Sequence, residues 1–291
     1  MATFSSRLPD FIALMRLDRP IGIWLLLWPT LWAVWIAGDG HPSATIVLIF
    51  SFGVVLMRSA GCVINDYADR HWDGEVSRTA DRPLVTGRIS ANEALVLFAL
   101  LIGLSASLLL WLNRETFYWA FGALALATLY PFMKRYTYLP QVVLGAAFSW
   151  AIPMAFVAQG KSPDALCWLL YSANLAWTVA YDTQYAMCDR DEDLKAGIKS
   201  TAILFGELDL LIIGLLQGMF LLGLFLLGQQ LTLGWPWYAG MLGALILFAL
   251  QAWQTRTREP QACLEAFKNN HIVGLIAFIA LLSGWLFRAT T

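Results

Sequence analysis

Apolar runs of about twenty residues, the length that crosses a bilayer core, recur along this chain and leave little room for another architecture. Nine can be read, at roughly 20–37, 43–64, 92–112, 116–132, 139–158, 164–183, 208–228, 235–253 and 271–287. Composition agrees. Of the 291 residues, 59% are hydrophobic and only 13% charged, about half the charged share of a soluble domain. The expected class is all-α integral membrane, with about nine transmembrane helices around a central cavity in one domain, 1–291. Pro29 and Pro153 fall inside runs, where a helix tolerates them if neighbours satisfy the freed carbonyls. Ser90 and Glu93 have the spacing of a capping box at the start of the third run.

Several classes are excluded. The net charge of −1, with no basic block and no Cys/His finger spacing, gives no footprint for nucleic acid. Cys62, Cys167, Cys188 and Cys263 are scattered and read as small buried residues, not as a disulfide or metal framework. Arg7, Arg16, Asp18 and Arg19 precede any long apolar run and no small-residue cleavage site follows one, so no signal peptide is expected.

Lys and Arg set the expected orientation. With nine spans, the N-terminus and the even-numbered connections share a side that collects fifteen of the nineteen basic residues, against Arg114, Lys161 and Arg288 on the other. The positive-inside rule makes the first side cytoplasmic, in a cell inner membrane. Its two longest connections, 65–91 and 184–209, follow the second and sixth spans as cap loops. The nineteenth, Arg58, lies inside the second span, where a charge is costly and calls for either a function or snorkelling to the headgroups.

Those two cap loops carry the acids. Asn65, Asp69 and Asp73 stand at i, i+4 and i+8, one face of a continuous helix, with Asp66 beside them. Asp189 and Asp193 repeat the i, i+4 spacing 120 residues after Asp69 and Asp73. Nine of the twenty acids lie in the windows Asp66–Glu75 and Asp182–Asp193. Carboxylates stacked this closely repel unless a cation sits between them. A hard divalent ion suits oxygen ligands, and Mg²⁺ takes one or two carboxylates together with phosphate oxygens. The expected ligands are Asn65, Asp69, Asp73, Asp189 and Asp193. Nearby cations, namely Arg70, Arg82, Lys134, Arg135, Lys195 and Lys199, complete the composition that a diphosphate requires. Asp182 is in phase with Asp189 and is expected to orient substrate. His71 is out of phase with the acids and is expected to be structural, while Glu207 and Asp209 suit a helix N-terminus. Each acidic set follows the second helix of a half and precedes basic residues and a glycine, a weak internal duplication of about 20–132 and 139–253.

The two sets, N-D-x-x-D-x-x-x-D from Asn65 and D-x-x-x-D from Asp189, resemble the aspartate-rich motifs of the intramembrane aromatic prenyltransferase (UbiA) family. Tyr130-x-x-x-Lys134 resembles that family's Tyr/Lys motif. The stretches 18–30, 57–70, 130–141 and 180–187 extend the match to nearly the whole chain. The resemblance implies an Mg²⁺-dependent enzyme whose aspartates hold the metal of a polyprenyl diphosphate. Asp66, Arg70, Arg82, Tyr130, Lys134, Arg135, Asp182 and Lys199 are expected to contact substrate. The reaction implied is polyprenyl transfer to the ring carbon ortho to the hydroxyl of 4-hydroxybenzoate, with release of diphosphate, in ubiquinone biosynthesis. Arg58, seven residues before Asn65 and so about 10 Å deeper on the same helix face, is expected to grip the acceptor carboxylate. Competing readings are a different aromatic acceptor, a divalent-cation transporter and a CDP-alcohol lipid phosphotransferase. The transporter fits less well, because its ion sites belong near the midplane and these acids cluster at span ends.

Overall fold

The computed structural model of the chain describes residues 4–71, 74 and 79–288, and among these the regular structure is entirely helical. A short α1 (Phe4–Leu14) leads into α2 (Ile21–Ala37) and the long α3 (Ala44–Asp69). After the first cap loop come α4 (Ala91–Leu108), extended by a 3-10 turn to Trp111, and α5 (Arg114–Tyr136). The next rod is broken into α6 (Pro140–Ser149) and α7 (Ala151–Ala158). Then follow α8 (Ala165–Cys188), the short α9 (Arg190–Ala196) and α10 (Thr201–Phe205), α11 (Asp209–Gln230), α12 (Trp235–Thr255) and α13 (Pro260–Leu286).

Length and apolarity single out seven membrane-crossing rods among the described residues, not the nine expected: 44–69, 91–111, 114–136, 140–158, 201–230, 235–255 and 260–286. The other two helices fall short for different reasons. The 17 residues of α2 rise only about 26 Å, a little under the hydrocarbon thickness. The 24-residue α8 is long enough, but it buries Asn174, Thr178, Asp182, Thr183 and Gln184 and is too polar to qualify. Expected boundaries also moved. α13 starts at Pro260, eleven residues before the apolar run at His271. Its first three turns carry Gln261, Glu265 and Lys268 outward while Cys263, Ala266, Phe267 and Asn270 are buried, an amphipathic pattern that a search for continuous apolar runs passes over.

Local chemistry explains the interruptions. Pro153 has no N–H to return to Ser149, and α6 ends at Ser149 with the turn at Trp150. The Ser90–Glu93 capping box forms in both directions, and Arg7 of α1 adds bonds to Glu93 at 2.6 Å and to the Arg88 carbonyl at 2.9 Å. Arg7 is pushed above its ordinary value by that bond to Glu93.

The main core lies around α8, which packs most extensively against α11, α6 and α13. Trp177 and Phe220 stack at 5.1 Å, Trp32 of α2 leans on both, and all three are buried. Below them runs a buried amide network. Asn270 accepts from Trp177 Nε1 and donates to Gln184, and Gln184 and Gln217 both donate to Gln251. It ties α8, α11, α12 and α13 together with polar groups that lipid could not satisfy. By contrast α4 and α5 bury few residues. Between them and α2, α3, α6 and α7 lies an apolar cavity of about 260 Å³.

Candidate active site

The first acidic segment is the last turn of α3. Asp69 is fully buried and paired with Lys134 of α5, and Arg135 donates to the Ala68 carbonyl at 2.6 Å. Asp66 is buried too, held by Arg16 at 3.0 Å and by Arg82 at 3.0 Å. Arg70 folds back on its own turn, donating to the Tyr67 carbonyl at 2.6 Å with its guanidinium 4.2 Å from the Tyr67 ring. The helix stops at Asp69, with Arg70 as its C-cap and His71 in an exposed turn. Asn65 and Asp69 share this helix, one turn apart. Asp73 itself, like Arg78, lies outside the described residues.

The second segment is a hinge between helices. α8 ends at Cys188, Asp189 takes φ −108° and ψ 5°, and α9 begins at Arg190. Asp193 N–H donates to the Asp189 carbonyl at 2.8 Å, closing the first turn of α9. Gly197, at φ 69°, ends α9 in the left-handed conformation that glycine adopts without strain. The chain then runs beside α5, where Lys199 N–H donates to the Lys134 carbonyl at 3.0 Å. Ser200 caps α10, and Gln141 accepts from Thr201 N–H at 3.0 Å.

These pieces enclose a polar pocket of about 140 Å³. Asn65 enters from α3, Asp182 and Asp189 from the end of α8, Asp193 from α9, and Lys134 and Lys199 supply the cations. Among the expected site residues, Tyr130 also lines it. Asp66, Arg70, Arg82 and Arg135 do not; they serve the segments that frame the pocket. Thr79, Gln141, Tyr185 and Ser200 line it as well. Sequence reasoning passed over these four because neutral side chains carry no charge pattern. Gln141 and Tyr185 did lie within the stretches that matched the family.

Tyr130 also lines the apolar cavity, so the two spaces adjoin there. Among the described residues, Arg58 is the single charged one lining that cavity. Its guanidinium lies 5.6 Å from the Phe148 ring, and its Nε is buried with no hydrogen-bond partner among the described residues. It does not snorkel. A cation held this way in an apolar wall is costly unless something binds it.

The metal expectation can be tested against these donors. Among the described residues, no group of three or more His, Cys, Asp or Glu is gathered closely enough to hold an ion. Three of the five expected ligands do line one pocket, and Asp69 is joined to it through Lys134. All are oxygen donors, and Mg²⁺ needs only one or two carboxylates when phosphate oxygens fill the remaining positions. The set fits a metal that arrives with a diphosphate.

The model of the UbiA prenyltransferase family matches residues 26–287. The chain belongs to that family. It is 58% identical over 284 residues to a 4-hydroxybenzoate octaprenyltransferase of Pseudomonas savastanoi pv. phaseolicola, covering 98% of this chain and 96% of that protein. The protein of the same name from Alcanivorax borkumensis is 59% identical over 271 residues, 93% of each chain. Solved UbiA homologues share the fold. The apo structure from Aeropyrum pernix K1 has a TM-score of 0.78 at 24% identity over 89% of this chain and 96% of that one. A homologue from Archaeoglobus fulgidus, solved with GPP and Mg²⁺, has a TM-score of 0.70 at 18% identity over 94% and 99%. Family membership makes this UbiA chain a prenyltransferase and sets the transporter and phosphotransferase readings aside.

Proposed function

We propose that the chain transfers a polyprenyl group from polyprenyl diphosphate to the ring carbon ortho to the hydroxyl of 4-hydroxybenzoate, releasing diphosphate. The observation that carries this reading is the junction at Tyr130. On one side is a pocket with Asn65, Asp189, Asp193, Lys134 and Lys199; on the other is an apolar cavity whose wall carries Arg58. A diphosphate head matches the first space and a polyprenyl tail the second, so the scissile C–O bond falls at the junction. Curated relatives of almost the same length bear the corresponding name.

The residues divide the work. Lys134 and Lys199 bind the diphosphate oxygens by charge-assisted hydrogen bonds and stabilise the negative charge that grows as the C–O bond breaks. Asn65, Asp69, Asp189 and Asp193, with Asp73 from the segment outside the described residues, would hold Mg²⁺. Bound there, Mg²⁺ supplies Lewis-acid neutralisation of the leaving diphosphate. The apolar walls exclude water from the allylic carbon, which would otherwise be hydrolysed. Arg58 grips the acceptor carboxylate with its planar fork and aims the carbon ortho to the hydroxyl at the prenyl C1. A C–C bond forms, the C–O bond of the donor breaks, and loss of the ring proton restores aromaticity. We place the N-terminus and the pocket on the cytoplasmic side of the inner membrane, because the pocket end carries the excess of Lys and Arg.

The test is product formation. Purified protein in lipid, given polyprenyl diphosphate, ring-labelled 4-hydroxybenzoate and Mg²⁺, should yield a product carrying the prenyl group on the ring carbon next to the hydroxyl, with one diphosphate per product. An O-prenylated product, or none, would overturn the reading.

A further inference from the structure

A cluster outside the pocket has no part in the scheme above. Asp209, the first residue of α11, is fully buried, and its carboxylate is held by two arginines from distant parts of the chain. Arg190 comes from the start of α9. Arg258, in the turn between α12 and α13, donates from Nε at 3.1 Å to both oxygens and from Nη2 at 2.9 Å to Oδ1. Arg258 also donates to the Glu207 carbonyl at 3.0 Å, and Leu210 N–H completes the set on Asp209 at 2.6 Å. A buried carboxylate with two guanidinium groups is expensive to assemble, and packing alone would not call for it.

What the cluster holds is α9. That helix is seven residues long and none of its residues is buried, so no apolar face fixes its direction. Arg190 directly follows Asp189, the residue at which the chain breaks out of α8, and Asp193 lies one turn further on. Neither Arg190 nor Asp209 lines the pocket, whereas Asp189 and Asp193 both do. The side chain of α9 next to the hinge, Arg190, is thus tied to a buried group.

We propose that Asp209 is a positioning residue for the second acidic segment: by gripping Arg190, with Arg258 locking it from behind, it sets the direction in which Asp189 and Asp193 present their carboxylates. The first segment offers a parallel, since Asp66 beside Asn65 is buried between Arg16 and Arg82. The proposal rests on the reading of Asp189 and Asp193 as part of a metal-diphosphate site. Partners one step behind metal ligands typically contribute about ten- to a hundred-fold in metal affinity or activity when removed.

The experiment uses the purified full chain in lipid nanodiscs, with Mn²⁺ and inorganic diphosphate as the probe. Wild type, Asp209→Asn, Arg258→Gln and Asp189→Asn are compared by Mn²⁺ electron paramagnetic resonance, by hydrogen exchange of backbone amides 190–198, and by steady-state kinetics. Asp209→Asn should speed exchange across 190–198 and weaken Mn²⁺ binding with diphosphate by about ten- to a hundred-fold. It should raise donor KM and leave acceptor KM unchanged. Should Asp209→Asn fail to fold, Arg258→Gln, which keeps the Asp209–Arg190 pair, should move the same readouts in the same direction by less. Wild-type exchange and Mn²⁺ affinity in the folded variant, whatever its thermal stability, would overturn the proposal. Asp189→Asn tests the underlying reading separately. Unchanged Mn²⁺ binding and turnover there would remove Asp189 from the site while leaving the exchange result to report on the clamp.

Discussion

Gly22 is a small lever on Arg58. It lies in the first turn of α2, and a Cβ built there would come within 2.6 Å of Arg58 Nη2 and 2.8 Å of its Cζ. No real methyl group sits that close, so Gly22→Ala must push the guanidinium aside. Arg58 is long and flexible, and the helix will not distort to spare it. Alanine is also the better helix former, by up to about 1 kcal/mol, so weaker folding is not the expected result. A hydrogen bond to a charged group contributes about 1.5–3 kcal/mol. A displaced guanidinium should forfeit the lower part of that range, and Arg58→Ala all of it. The expected fall in kcat/KM for 4-hydroxybenzoate is roughly ten-fold for Gly22→Ala and up to about a hundred-fold for Arg58→Ala. Initial rates in membranes, with labelled acceptor varied at saturating polyprenyl diphosphate and then the reverse, separate the two substrates. Donor KM should stay put. An unchanged acceptor KM in Gly22→Ala, or equal movement of both constants, would refute the assignment of Arg58 to the carboxylate.

Three further outcomes follow from the side-chain contacts. Lys134→Ala removes a partner of the fully buried Asp69 and a cation of the pocket, so donor kcat/KM should drop about ten- to a hundred-fold and the melting temperature should fall. Arg70→Ala should change donor KM by no more than about two-fold, because its guanidinium is spent on its own turn and its removal is an ordinary surface change. Glu93→Ala removes the capping box of α4 and the anchor of Arg7 together. It should lower the melting temperature in detergent, with both KM values unchanged.

The apolar runs announced helices because lipid forces every backbone group to be satisfied within its own helix. Continuous apolarity was nevertheless an imperfect guide. It misplaced the start of α13, where burial follows one face only, and α8 spends its inner face on amides and hydroxyls that hold the core. The two acidic segments were legible from spacing, but spacing assumes that a helix continues. α3 ends at Asp69, and Asp189 is itself a break. Pairings across long stretches of chain left no local trace. Arg16 reaches Asp66 from 50 residues away, and Arg258 reaches Asp209 from 49. The pairing of Arg82 with Asp66 left no such trace either, and Asp209, expected as a simple helix start, also anchors two arginines. Arg58 was conspicuous because a lone charge in an apolar run has so few reasons to be there. The duplication of 20–132 and 139–253 we retain as a proposal.

The central claim is that the acids of two segments act as one metal-dependent site on a diphosphate. The most direct measurement is formation of labelled prenylated 4-hydroxybenzoate by membranes stripped with EDTA, before and after Mg²⁺ is restored, for wild type, Asp69→Ala and Asp189→Ala. Stripped wild-type membranes should give no product and recover fully with Mg²⁺, and neither variant should recover although both are folded and inserted. Full turnover in stripped membranes, or a fully active Asp189→Ala, would contradict it.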